Sequence, residues 1–410
     1  MRKRAYINGQ ILTMDRIRPR AEAVLVSGKR IQWVGSRADM GSLLHRGVQV
    51  VDLEGRTMLP GFIHGSSHLM SLAYNNMFGN ASPGPGGVCN SPKELVRELT
   101  RQIEQRGIKP GIWFVAMGYA PERYPLGQGP TLEELDEISR ERPVCLVHAS
   151  GQYGAFNSMG LAVAGIGRFT PDPFGGQIER SSGTRMPTGI LRGRAFLQAV
   201  ESIKLPSLKE ALWGVKEAVR LFASQGITTL KEARTEAGEY ALLHLASLLG
   251  ILRLDVIFGP ESSGAFGKPL SFSEGLCYRR HCRLGGCSGA WDECSCGERE
   301  ATLLGDREPN MLFLVEQAVR NQAEGGPISQ EKQRIFVEEA LRAVTIHGAI
   351  QILEERKKGS ISEGKLADLV ILDGNPLTSP VEGLRDIHVL ETIKEGKSIF
   401  RRLAGQDKEG

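Results

Sequence analysis

Ser207 to Leu230 reads SLKEALWGVKEAVRLFASQGITTL, an amphipathic helix from Ser207 to Gln225 that runs through Gly226 into the strand Ile227-Thr228-Thr229-Leu230. A helix feeding a buried strand across one glycine is the unit from which parallel α/β barrels are built. The same alternation extends toward the N-terminus. Leu95, Leu99 and Ile103 mark Pro92 to Gln105 as helical, and Ile112-Trp113-Phe114-Val115-Ala116 is strand-like. Leu132 to Ile138 is helical again, and Pro143-Val144-Cys145-Leu146-Val147-His148 follows as a buried strand. In such barrels chemistry sits at the C-terminal ends of the strands. Toward the C-terminus the alternation fails. Residues 259–327 carry little periodicity, and Cys277 to Cys287 is rich in Cys, Arg and Gly with no strand in it. Order returns at Ser329, with a helix over Phe336 to Thr345.

The two chain ends follow another pattern, short strands separated by turns. Ala5-Tyr6-Ile7 and Ile11-Leu12-Thr13-Met14 flank Asn8-Gly9, the strongest two-residue hairpin signal. A second hairpin joins Ala23-Val24-Leu25-Val26 to Ile31-Gln32-Trp33-Val34 through Gly28-Lys29. A third pairs Val48 to Leu53 with Arg56 to Leu59 through Glu54-Gly55. At the far end, Ala367 to Leu372, Ile387 to Ile393 and Ser398 to Phe400 are strand runs. Neither set has enough apolar surface to stand alone. The expected organisation is a composite β-sandwich of 1–58 plus 366–404 around a TIM-like (β/α) barrel at 59–365, incomplete in its second half, with 259–327 an irregular segment.

Composition fits a globular protein, with 41% hydrophobic and 24% charged residues. A net charge of +4, with its basic residues scattered, leaves no footprint for nucleic acid. No apolar run reaches the ~18–20 residues of a membrane span. The basic N-terminus lacks an apolar core, so no signal peptide is expected. Five of the seven cysteines crowd between Cys277 and Cys296, unlike a disulfide framework, which makes the cytoplasm the expected compartment.

Five stretches together are similar to the amidohydrolase superfamily, in the branch called amidohydrolase family 3 (the N-substituted formamide deformylase-like branch). They are Leu59-Pro60-Gly61-Phe62-Ile63 leading to His68; Leu132 to Asp136 through Arg142-Pro143-Val144 to Ser150-Gly151-Gln152 and Asn157-Ser158; Gly175-Gly176-Gln177-Ile178 with Gly183 and Pro187 to Leu191; Gly226-Ile227-Thr228-Thr229; and Glu338 to Leu341 through Gly359-Ser360-Ile361 to Gly364 to Val370. The resemblance implies a metal-dependent hydrolase of non-peptide carbon–nitrogen bonds. It would use a divalent metal, zinc by preference, to lower the pKa of bound water and polarise a carbonyl. The partner implied is a small amide-type substrate, with a homodimer as the candidate assembly.

The ligand set implied by the resemblance is incompletely supplied. Where it implies Asp at 64 and His at 66 and 68, this chain has His64, Ser66 and His68, so His68 is the candidate metal ligand. Ser66 is a poor ligand beside imidazole. On an extended strand His64 and His68 would lie about 13 Å apart, too far for one ion unless the backbone turns. Gln152 stands where a His is common, and Arg192-Gly193-Arg194 where an acid is common. His244 has helical spacing, and His281 lies in the irregular segment. Lys231 is the second candidate ligand, in carboxylated form, with a solvated Lys231–Glu232 pair as the simpler reading. The cysteine spacings lack a C-x₂-C knuckle, so zinc binding there is weakly supported. No residue is assigned as catalytic or substrate-binding. Three readings follow: an active hydrolase with non-standard ligands, an impaired remnant left by a deletion or frameshift, and a non-catalytic scaffold.

Overall fold

The computed structural model describes residues 3–41, 47–83, 89–203, 206–232, 235, 237–258, 310–320 and 335–402. The five clustered cysteines and His281 lie outside the described residues. The chain divides into two compact units. One is built from Met70–Glu217, and the other from Met1–Leu69 with the described residues from Ala218 onward.

In the unit holding the chain ends, a four-stranded sheet runs in the order Arg30–Gly35, Ala23–Ser27, Lys3–Ile7, Val48–Asp52. A six-stranded sheet runs Lys397–Arg401, Val389–Lys394, Leu369–Leu372, Thr57–Pro60, Gln10–Leu12, Arg20–Ala21. Leu369–Leu372 lies antiparallel to Thr57–Pro60, Leu369 opposite Pro60 and Leu372 opposite Thr57. The two ends of the chain therefore share one sheet. Tyr6, Val24, Val26 and Ile31 of the first sheet form one apolar cluster with Met58, Leu369, Ile371 and Ile393 of the second. Burying each such side chain stabilises by about 1.5–3 kcal/mol.

The hairpin expected at Asn8-Gly9 does not form. Lys3–Ile7 pairs with Ala23–Ser27 and, in parallel, with Val48–Asp52, whereas Gln10–Leu12 enters the other sheet. Asn8 does take the left-handed φ of 58°. Gly9 is required for a different reason: a Cβ there would lie 2.6 Å from the Arg56 carbonyl oxygen, where two crossing connections meet. The Glu54-Gly55 connection likewise links strands of different sheets. Of the three hairpins expected in the first 59 residues, the one between Ala23–Ser27 and Arg30–Gly35 pairs as the turn signal implies.

The same unit carries a parallel three-stranded sheet, with Ile227–Glu232 between Phe62–Ser67 and Asp255–Phe258. Helix Leu208–Ser224 reaches it through Gly226 at φ 80°, where a Cβ would lie 2.8 Å from the Phe62 ring and 2.9 Å from Val370. Thr392 donates its hydroxyl to the Ala223 carbonyl at 2.6 Å, satisfying one of the helix's terminal acceptors. The segment expected to lack periodicity contains helix Met311–Arg320, which buries Met311, Leu312 and Val315. Its apolar spacing of three to four residues is helical, but the helix is short and the residues around it lack periodicity. The C-terminal helix begins at Val337 and passes through a π-helical turn at Ala343–His347 before Gly348–Gln351. Such turns recur near functional sites.

An ion network with buried lysines and a partly exposed Asp255 joins these sheets. Lys358, 2% exposed, pairs with Asp255 and with Glu354 at 2.8 Å; Lys394 pairs with Asp255 at 2.8 Å and with Asp368 at 2.9 Å. Burial opposes ionisation of Asp255, but Lys394 and Lys358 outweigh it and hold its carboxyl below the usual range. At Asp368 burial dominates and the pKa is raised.

The other unit holds a six-stranded sheet ordered Gly176–Arg180, Pro187–Gly193, Tyr153–Phe156, Val144–His148, Phe114–Tyr119, Gly79–Asn80. The last three strands are mutually parallel, as the helix–strand alternation implies, and the sheet turns antiparallel from Tyr153. Asn157 is fully buried and fully used. Its side-chain oxygen accepts from Val144 and Gly160, each at 2.8 Å, and its amide donates to Ser139 at 2.7 Å and Arg142 at 2.9 Å.

Three stability outcomes follow from these polar groups. Asn157→Ala strands four backbone groups, three of them in buried bonds, and urea denaturation should show a loss of about 2–4 kcal/mol. Lys394→Met removes the ammonium paired with Asp368, leaving that carboxylate only the Glu395 N–H at 2.8 Å, and should cost about 3–5 kcal/mol at pH 7. Because the folded-state pKa of Asp255 is depressed, its contribution is present above the unfolded value near ~4 and disappears as pH falls through the folded value. Wild-type protein should therefore lose more stability than Asp255→Asn between pH 7 and pH 3. Equal losses in the two proteins would remove Asp255 from the account.

Candidate functional site at the parallel strand ends

The three parallel strands finish at one edge of their sheet, at Ser67, Glu232 and Phe258. Leu230 pairs with His64, but Glu232 pairs with Ser67, so three residues of one strand are matched to two of the other. Bulges of this kind re-aim side chains and are frequent beside active sites. The strand then stops at Ser67, and His68 lies one residue beyond it, half-buried. The straight-strand spacing between His64 and His68 thus does not describe this backbone. His64 is buried, with its ring edge-on to Phe222 at 6.2 Å.

Strand alternation separates Lys231 from Glu232. Thr228, Leu230 and Glu232 occupy one buried face; Thr229 and the half-buried Lys231 occupy the other. On that second face Thr229 accepts from Lys358 at 3.3 Å. Glu232, 1% exposed, accepts the Leu69 backbone N–H at 2.6 Å, at the first residue of helix Leu69–Met77. The Lys231–Glu232 dipeptide is therefore not one solvated pair. The signal for Glu232 lies in the period-two alternation, which puts a carboxylate where the buried face of Thr228 and Leu230 continues. Ser67 Oγ is buried and has no hydrogen-bond partner among the described residues.

Burial pushes the His347 imidazole pKa down, with Arg342 and Arg16 adding to the effect. His347 closes the π-helical turn, and the following Gly348 lets the helix approach the same strand: a Cβ there would lie 3.0 Å from Ile63. A cavity of about 520 Å³ runs along Asp255–Phe258, lined by Tyr240, His244 and Phe258 above the Asp255, Glu354 and Lys358 network. His244 lies on helix Ala237–Leu248, as its spacing implies, stacked on Tyr240.

Among the described residues, no three His, Cys, Asp or Glu side chains gather closely enough to hold a metal ion. The strand ends offer the imidazole of His68, the carboxylate of Glu232 and the hydroxyl of Ser67. A divalent transition ion is usually held by three or four protein donors, or three with water. The described residues alone do not fit one.

The model of the amidohydrolase family matches residues 49–262 and 306–400. N-substituted formamide deformylase of Arthrobacter pascens is 35% identical over 259 residues, covering 61% of this chain and 46% of that protein. Protein LONG AFTER FAR-RED 3 of Arabidopsis thaliana is 31% identical over 223 residues, 54% of this chain and 37% of that protein. The chain thus matches less than half the length of these curated relatives. A metal-dependent hydrolase structure from Pyrococcus horikoshii superposes with a TM-score of 0.64 at 16% identity, covering 93% of this chain and 99% of that one. One from Pyrococcus furiosus gives 0.60 at 16% identity, covering 92% and 100%. The fold is that of the TIM-barrel amidohydrolases, and the chain belongs to the amidohydrolase family.

Proposed function

We propose that this chain is a hydrolase of carbon–nitrogen bonds other than peptide bonds, acting on a small amide-type molecule. The observation that carries this reading is the family match, which takes in the parallel strands ending at Ser67, just before His68, and at Glu232, as well as the C-terminal sheet strands. The Arthrobacter pascens relative is named for deformylating N-substituted formamides, so such a formamide is the first substrate to test. The cofactor of this reading is a divalent metal, zinc by preference, which would supply an activated water and a Lewis acid. His68 is its imidazole ligand and Glu232 sits in the register position beside the end of that strand. Lys231, facing away from Glu232, is a second candidate. The accompanying proposals are a composite β-sandwich of 1–58 plus 366–404 around an incomplete barrel at 59–365, a cytoplasmic location and a homodimer.

A second reading, an impaired remnant or non-catalytic scaffold, is favoured by one observation: three ligand-type side chains do not converge among the described residues.

Elemental analysis of the full chain, paired with hydrolysis of an N-substituted formamide, separates the two. The hydrolase reading expects near-stoichiometric divalent metal and chelator-sensitive amine release. His68→Ala should abolish both. Glu232→Gln should lower metal affinity or activity by roughly 10–100-fold, the usual effect of a group that positions a ligand. A folded, metal-free and inactive wild-type chain establishes the second reading instead.

A further inference from the structure

The unit formed by Met70–Glu217 holds a polar constellation that the metal reading does not use. His148 is the last residue of strand Val144–His148, opposite Tyr119 of the neighbouring parallel strand. Its Nδ1 lies 3.0 Å from the Ser150 backbone nitrogen and 2.7 Å from Ser150 Oγ. A backbone N–H can only donate, so Nδ1 is the acceptor and the neutral ring carries its proton on Nε2. Nε2 faces both carboxylate oxygens of Glu122 at 3.2 Å. The tautomer is thus fixed from both sides, and the Ser150 hydroxyl proton is directed at an unprotonated ring nitrogen. The imidazole plane is also held. Tyr153 stacks on it at 3.9 Å, and Arg192 lies over the Tyr153 ring at 4.5 Å and 3.6 Å from Glu179. His148 is 11% exposed, whereas Ser150 lies exposed at the strand's C-terminal edge.

We infer that Ser150, His148 and Glu122 form a nucleophilic site, with Ser150 as nucleophile, His148 as general base and Glu122 as the positioning residue, for acyl transfer from activated esters or amides. Hydroxyl, imidazole and carboxylate in series are what such chemistry requires. Ser150 Oγ bonds to the acyl carbon as its proton passes to His148 Nδ1. The leaving group departs with that proton, and water returns the serine in the reverse sequence. The backbone donors beside the serine are already engaged: Gly151 donates to the His148 carbonyl at 2.8 Å and Gln152 to Ser150 Oγ at 3.3 Å. Without a preorganised oxyanion site about 10²–10³ in rate is forgone, so covalent capture by a reactive probe is a better readout than turnover.

The full chain would be treated with a fluorophosphonate probe in excess chelator, and the labelled peptide identified by mass spectrometry. Capture forms the Oγ–P bond, breaks P–F and releases fluoride while His148 takes the proton. The expected result is one label, on Ser150, absent in Ser150→Ala. Labelling should slow by about 10² or more in His148→Gln and measurably in Glu122→Gln, with partial recovery in Glu122→Asp and unchanged melting temperatures in the Glu122 variants. Labelling elsewhere, labelling of Ser150 no faster than in heat-unfolded chain, or a rate indifferent to both Glu122 substitutions would overturn the assignment. Loss of labelling on chelation would do the same.

Discussion

The antiparallel pairing of Thr57–Pro60 with Leu369–Leu372 is the constraint on which the rest of its unit depends. It commits residues more than 300 positions apart to one sheet, directly ahead of the first parallel strand. Gly61 follows directly, donating its N–H to Asp368 at 2.9 Å, and Phe62 then donates to Gly226 at 2.9 Å. Within two residues the chain passes from one sheet to the next with no slack. The start of Phe62–Ser67 is therefore pinned, and so is the position at which it delivers His68. Gly61 tolerates this only because it has no Cβ, which would lie 2.3 Å from the Thr228 side chain.

The ion network completes that junction. Asp368 sits in the connection between sheets, Asp255 at the start of a parallel strand, and Lys394 at the end of a sheet strand; one ammonium bridges both carboxylates. Replacing such networks with apolar groups is often neutral or stabilising. Their value here is directional: hydrogen bonds of fixed geometry set the register between strands that apolar packing alone would leave free to slide. At the start of the parallel strands this network does structural work, which leaves the opposite strand ends for chemistry.

Elements carried by local periodicity were legible in the sequence. Helices Pro92–Arg106, Leu132–Ile138 and Leu208–Ser224 fall almost where their apolar spacing puts them, because each buries one face and is bounded by a cap or glycine. Strand existence was legible too, but strand partnership was not. Asn8-Gly9 has hairpin chemistry, yet Tyr6 and Ile11 are needed in two facing sheets that share one core. Tertiary burial outweighs a local turn preference of this kind. The candidate site was half legible. His68 was marked by its place after the first parallel strand, whereas the burial of Glu232 depends on which face of Ile227–Glu232 is covered. Ser150 and His148 lay within a quoted motif, but Glu122 is 26 residues from His148 and only the fold brings them together.

The location of each charge also argues about chemistry. A buried carboxylate is costly unless it is hydrogen-bonded, and Glu232 is held at the strand end by a 2.6 Å bond from Leu69. The same bond ties the strand end to the backbone immediately after His68. Any displacement of Glu232 must therefore move the residue next to the candidate imidazole, and any ion bound by His68 must act on a backbone that Glu232 already holds. The two side chains are coupled through one peptide unit even where they share no ligand. Lys231 lies on the other face of that strand, the face on which Thr229 accepts from Lys358. At these strand ends the chain offers an acid–imidazole pair with a common backbone support, and a fold that fixes both from the opposite end of the same strands.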